Sequence, residues 1–174
     1  MKENECARQY RLLTERLIAD GLTVATMESC TAGGIVSLLT DTEGSSAVVR
    51  GGIVAYCNEV KTTFGVPEET IARFGVYSEE TALAMADACR KRLGVEIGIG
   101  VTGSYANRDP NNADSVPGTV FYAVKCGKTE RVCRVEVRSA LRRDAKTETA
   151  LQIAKTLSET LDQYEKSRKG GEDA

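Results

Sequence analysis

The sequence predicts an α/β domain, a three-layer α/β/α sandwich on a mixed, mainly parallel sheet, and three features carry that reading. Strand-length apolar runs alternate with amphipathic helices through the first hundred residues, the pattern of parallel strands joined by helical crossovers. Two consecutive strands then meet around Gly127 and Lys128 as a hairpin, which brings antiparallel pairing into the sheet. A long helix follows them. The 174 residues suit one domain, taken as 1–165, with KSRKGGEDA at 166–174 as a disordered tail.

The first helix is expected from Glu5 to Ala19, with Leu12, Leu13 and Leu17 on its apolar face and Asp20 and Gly21 ending it. Leu22 to Met27 reads as a buried strand. Gly33 and Gly34 then open a helix that carries Ile35, Val36, Leu38 and Leu39. After a turn at Asp41 to Ser46, Val48 to Tyr56 is the second strand, with Gly51 and Gly52 allowing close approach of a neighbour. Asn58 is placed to cap a short helix bearing Lys61, and Pro67 starts another that Gly75 closes. Ser78 caps a helix with Ala82, Met85, Ala86, Cys89 and Leu93 at helical spacing, ended by Gly94. In Val95 to Val101 the apolar residues alternate with Gly98 and Gly100, a strand whose glycine face lets a helix pack closely. Gly103 to Pro117 is a long polar loop, Gly118 to Cys126 and Arg131 to Val137 form the hairpin, and the last helix runs from Arg142 to Tyr164.

Composition narrows the function classes. Lys and Arg number 23 against 25 Asp and Glu, a formal net charge of −2, and no basic block with interleaved aromatics points to nucleic acid. A small anionic ligand held by a few arginines remains compatible with that balance. No apolar run reaches membrane-spanning length and the polar start MKENECARQY lacks a signal core, so a cytoplasmic protein without a membrane partner is expected. The six cysteines fall in no C-x-x-C pair and read as reduced thiols, with no metal site implied. Association into a homo-oligomer is left open.

In an open α/β sheet, ligands bind beyond the carboxyl ends of the strands, where Glu28 to Thr31, Tyr56 to Lys61, and Thr102 and Gly103 fall in this chain. From position alone the simplest role of Ser29 is a helix cap. The segment ESCTAGG, Glu28 to Gly34, nevertheless keeps side chains away from the space before the helix, as a ligand approaching the backbone requires. The chain has no histidine, so a nucleophilic Ser29 needs another base. Lys61 reads either as an ordinary surface lysine or as that base, since desolvation and the start of a helix both disfavour its ammonium form. Tyr56 reads either as a core aromatic or as a hydroxyl relaying a proton between Ser29 and Lys61. Cys30 is the rival nucleophile and Asn58 the cap of the Lys61 helix. Arg138, Arg142 and Arg143 cluster where the last strand gives way to the last helix, either as a solvated face or as a phosphate clamp.

Several segments together resemble the C-terminal domain of the competence-damage-inducible protein CinA. They are ESCTAG at Glu28 to Gly33, D-x-x-GSS at Asp41 to Ser46, GGIVAYCNEVK at Gly51 to Lys61, FGVYSE at Phe74 to Glu79, PGTV at Pro117 to Val120, and R-x-x-L-R-R at Arg138 to Arg143. The stand-alone members of that family are nicotinamide-nucleotide amidases, and the resemblance implies an α/β/α sandwich that converts nicotinamide mononucleotide to nicotinic acid mononucleotide and ammonia. It further implies Ser29 as nucleophile, Lys61 as general base and Tyr56 assisting, with no cofactor and no metal. Glu28, Cys30, Thr31, Gly33, Asn58, Thr102 and Gly103 would face the nucleotide, and Arg138 and Arg142 its phosphate.

The family's glycine-rich GIAGP-x-GG loop is replaced here by Gly103 followed by SYANRDPNN, Ser104 to Asn112, and the Gly-Asp before the first arginine by Glu136 and Val137. Two alternatives follow from that departure. The chain is a nucleotide-binding or regulatory module that has lost catalysis, or a Ser-Lys amidase of another substrate.

Overall fold

The computed structural model describes residues 4–169, whose strands form one five-stranded sheet in the order β2-β1-β3-β4-β5. These are β1 (Val24–Glu28), β2 (Val49–Val54), β3 (Ile97–Gly103), β4 (Thr119–Cys126) and β5 (Thr129–Glu136). The first three are mutually parallel, β4 is antiparallel to β3, and β5 is antiparallel to β4. Four of the five strands thus share one direction, as expected of a mixed, mainly parallel sheet. Its layers are completed by α1 (Glu5–Asp20), α2 (Gly34–Thr40), α3 (Asn58–Thr63), α4 (Glu68–Phe74), α5 (Glu79–Leu93) and α6 (Arg142–Lys169).

Local chemistry sets the helix ends. Asn4 caps α1 through its side-chain oxygen on the Ala7 amide, and Gly21 terminates it at φ +64°. Ser78 caps α5 on the Thr81 amide, and Gly94 ends it in the same left-handed way. Two expectations shift. The buried face of α1 is Cys6, Tyr10, Leu13, Thr14 and Leu17, whereas Leu12 is exposed, because the packed stripe lies one position to the side of the leucine run. The last helix continues past Tyr164 through Lys169, so residues 166–169 of the expected tail are helical, and 170–174 lie outside the described residues.

The two faces of the sheet are built differently. Ile97, Ile99 and Val101 pack with Val24 and Tyr122 against residues of α1 and α6, and the Tyr10 hydroxyl ties those helices by donating to the Ala150 carbonyl at 3.0 Å. The opposite face is small: Gly98, Gly100, Ala25 and Ala123 let α5 lie almost on the backbone. A Cβ on Gly98 would collide with the Ala86 carbonyl, and one on Gly100 with the carbonyl of Ala82. Close packing of a long helix onto the middle of the sheet follows from those two glycines.

The sheet order also locates the site. From β1 the chain passes through α2 to β2 on one side, and through α3, α4 and α5 it reaches β3 on the other. β1 is therefore a topological switch point, and the space beyond its carboxyl end is the place for a ligand. Among the described residues no helix is long and apolar enough to cross a membrane, and all six cysteines are free.

Gly100→Ala is expected to destabilise the domain by about 3 kcal/mol, because the helix backbone has to move. Gly21→Ala, where nothing stands within 4 Å, carries only the left-handed penalty of about 1 kcal/mol. Urea unfolding of both variants checks the order, and equal losses would mean that α5 does not rest on β3 as described.

Candidate active site

The site begins with a buried carboxylate. Glu28, the last residue of β1, is fully buried and accepts hydrogen bonds from the amides of Ile35 at 3.0 Å and Val36 at 2.9 Å, and from the Thr26 hydroxyl at 2.9 Å. It serves as the cap that α2 otherwise lacks, since the N-cap residue Gly33 has no side chain to offer. Between the carboxylate and the amides it holds, the chain reverses in a few residues, with Ala32 at φ +53° and Gly33 at φ +87°. A non-glycine residue in that region is uncommon and marks a backbone held by its surroundings.

This arrangement revises three expectations. Ser29 is not the helix cap. Glu28 is turned into the protein rather than toward a ligand, and the first amides of α2 are occupied by its carboxylate and are closed to an anion. What the turn does is present Ser29, whose amide continues the sheet by donating to the Val101 carbonyl at 2.9 Å.

Lys61 comes to Ser29 from beyond the neighbouring strand β2. It projects from the short α3, is 2% exposed, and places Nζ 3.4 Å from Ser29 Oγ and 2.9 Å from the Ala55 carbonyl. Burial holds its pKa below the 10.5 of an ordinary lysine, against the opposing pull of Cys57, Cys30, Asp109 and Glu59. A neutral amine can accept a proton, so the pair has the polarity of nucleophile and base. The rival thiol is in the opposite condition: burial pushes the Cys30 pKa up to about 11, which leaves it protonated near neutral pH.

An open cavity of about 600 Å³ lies in front of the pair. Of the residues expected there, Ser29, Cys30, Tyr56, Asn58, Gly103 and Arg142 line it, and Lys61 stands behind Ser29. Thr31 and Gly33 belong to the turn, and Thr102 gives its hydroxyl to the Val76 carbonyl at 3.0 Å instead. Arg138 stays outside the cavity, its amide bound to the Glu148 carboxylate. Asn58 is the first residue of α3 rather than its cap, which is Cys57, and its side chain donates to Asn112 at 2.9 Å.

Tyr56 does not stand between Ser29 and Lys61. Its ring is largely exposed at the cavity mouth, and its hydroxyl accepts from Arg142 at 2.9 Å, while the Arg142 guanidinium lies 5.5 Å from the centre of the Tyr105 ring. Lys61 thus meets Ser29 without an intermediary.

The far wall comes from the polar segment after β3, which is pinned by its own side chains. Asp109 accepts from the Tyr77 hydroxyl at 2.6 Å, from the Asn112 side chain at 2.6 Å and from the Asn111 amide at 2.9 Å. Those bonds, with the Tyr77 hydroxyl first, hold its carboxyl below the usual range. Tyr77, Tyr105, Arg108, Asp109 and Asn112 are cavity residues that motif reading passed over. Their signal was available, since the segment leaves the carboxyl end of a central parallel strand. Among the described residues no three His, Cys, Asp or Glu side chains gather as a metal site would require.

Known proteins share this architecture. The competence damage-inducible protein A (ComA) of Klebsiella pneumoniae superposes with a TM-score of 0.83 at 25% identity, covering 91% of this chain and 98% of that one. The competence/damage inducible protein CihA of Agrobacterium tumefaciens does so at 0.79 and 31% identity, covering 92% and 98%. In sequence, the nicotinamide-nucleotide amidohydrolase PncC of Escherichia coli is 36% identical over 157 residues, 87% of this chain and 94% of its own length. A CinA-like protein of Gemmatimonas aurantiaca is 48% identical over 114 residues, which are 65% of this chain but 26% of that protein. The chain therefore aligns with only about a quarter to a third of the CinA-like relatives' length. The family model of the CinA C-terminal domain matches residues 7–161, and the chain belongs to that family.

Proposed function

We propose that this protein is an amidohydrolase that deamidates nicotinamide mononucleotide, with Ser29 as nucleophile and Lys61 as general base. One observation carries the reading: a buried amine with a lowered pKa lies 3.4 Å from a serine hydroxyl at the mouth of a polar cavity. The similarity to an amidohydrolase along almost its whole length supports the substrate class.

In the proposed reaction Lys61 takes the Ser29 hydroxyl proton as Oγ attacks the carboxamide carbon, and a C–O bond forms. The negative charge moves to the carboxamide oxygen, for which backbone N–H groups of the turn after β1 would be the donors. Collapse breaks the C–N bond, and the Lys61 ammonium returns the proton to the leaving nitrogen as ammonia. Water then attacks the ester with Lys61 again as base, releasing nicotinic acid mononucleotide and restoring Ser29. Tyr56 acts here as a wall of the cavity and the partner of Arg142, not as a relay.

A second reading has its own observation. Residues 104–112 form much of the cavity wall and differ from the glycine-rich family loop, which favours hydrolysis of another amide, or ligand binding without turnover.

The direct test is ammonia release from nicotinamide mononucleotide. Ser29→Ala and Lys61→Ala should each lower kcat by about 10³-fold or more with melting temperatures near wild type. A folded wild-type protein that releases no ammonia from this nucleotide, yet does so from other amides, transfers the mechanism to a different substrate. Activity should also rise with pH, because the neutral amine is the working form. The ascending limb of kcat/KM has its midpoint below 10.5, and Lys61→Arg removes it. A flat profile across that range would rule out Lys61 as the base.

A further inference from the structure

The charged side chains around the cavity are not paired with one another. Glu59, Arg108, Asp109 and Arg142 all line it. The Asp109 carboxylate is already taken by Tyr77, Asn112 and the Asn111 amide, and Glu59 turns to its own amide and to Cys57 at the start of α3. Neither carboxylate pairs with an arginine. Arg142 donates to a neutral phenol, that of Tyr56, and Arg108 has no hydrogen-bond or ion-pair partner among the described residues. Two guanidinium groups therefore border one cavity without an ion-pair partner among the described residues.

The backbone on either side of Arg108 is also held in place. On one side, the carbonyl of Asn107 accepts from the Ser104 hydroxyl at 2.5 Å. On the other, the Asp109 amide donates to Ser115 Oγ at 2.9 Å, while the Asp109 carboxylate is fixed as described. A guanidinium on a backbone pinned at both neighbours gives up less freedom when it closes on an anion than one on a loose loop. Arg142 is similarly restrained by Tyr56 and the Tyr105 ring.

We propose that Arg108 and Arg142 are the two arms of a clamp for the phosphate monoester of the substrate, with Arg108 supplying the arm that Arg138 does not. The nucleotide identity of that substrate rests on the amidase reading, while the clamp requires only an anionic phosphate end. Planar guanidiniums suit it, because each offers paired N–H donors to phosphate oxygens. The selecting residue for the phosphorylated substrate then lies on the segment in which this chain departs from its family.

Two measurements test the clamp separately from the chemistry. Calorimetric titration with ribose 5-phosphate should show binding to wild type, about tenfold weaker binding to Arg108→Gln, and partial recovery in Arg108→Lys. In turnover, the KM for nicotinamide mononucleotide should rise about tenfold in Arg108→Gln, whereas the KM for its unphosphorylated nucleoside should not. No binding of ribose 5-phosphate to wild type, or equal affinity in Arg108→Gln, overturns the clamp. If wild type leaves the mononucleotide intact while ribose 5-phosphate binding still depends on Arg108, the amidase reading falls and the clamp stands.

Discussion

The carboxylate of Glu28 on the first amides of α2 is the interaction from which the site takes its shape. It closes the distance between the end of β1 and the start of a helix whose own cap position is a glycine. The intervening residues are forced into a tight reversal that carries Ala32 to positive φ and turns Ser29 outward. Burying a charge is costly unless it is fully hydrogen-bonded, and here two amides and a threonine hydroxyl provide those bonds. The cost of the strained turn is met by a local network, and the placement of the Ser29 hydroxyl is its product.

A second constraint is the absence of histidine. Without an imidazole, a base near neutral pH has to be made from a group whose ordinary pKa is too high, and burial is the means available. α3 is only six residues long, yet it delivers Lys61 under the end of β2, where the Ala55 carbonyl and Ser29 Oγ accept from its amine. Ser29 follows the switch strand β1 and Lys61 follows its neighbour β2, so parallel pairing of those two strands is what brings them together.

The segment after β3 works by another principle. Reversal and switch point bring Ser29 and Lys61 together, and residues 104–112 shape what can reach them. Asp109 joins Tyr77 ahead of α5 to Asn112, and Asn112 reaches Asn58 at the start of α3, so the wall is fastened to two helices by side chains rather than by regular structure. Glycine-rich backbone in that position would approach a ligand directly. Polar side chains fill the same space here and bring Arg108 with them.

Much of this was legible along the chain. The strand and helix alternation and the glycine face of β3 against α5 follow from periodicity, spacing and residue chemistry, because those signals are local, while the resemblance to the family singled out Ser29 with Lys61. Others failed for lack of a third dimension. Leu12 looked like core, yet periodicity alone leaves the rotation of α1 about its axis free. Ser29 looked like a cap because nothing local shows that Glu28 would fold back over α2. Tyr56 looked like a relay, and its hydroxyl meets Arg142, 86 positions away, only because the sheet order carries the start of α6 to the mouth of the cavity. The sequence by itself determined the fold class and the absence of an imidazole. Which polar groups face the ligand and which face each other was decided by the tertiary structure, since hydrogen-bond partners are chosen by proximity across strands and not along them.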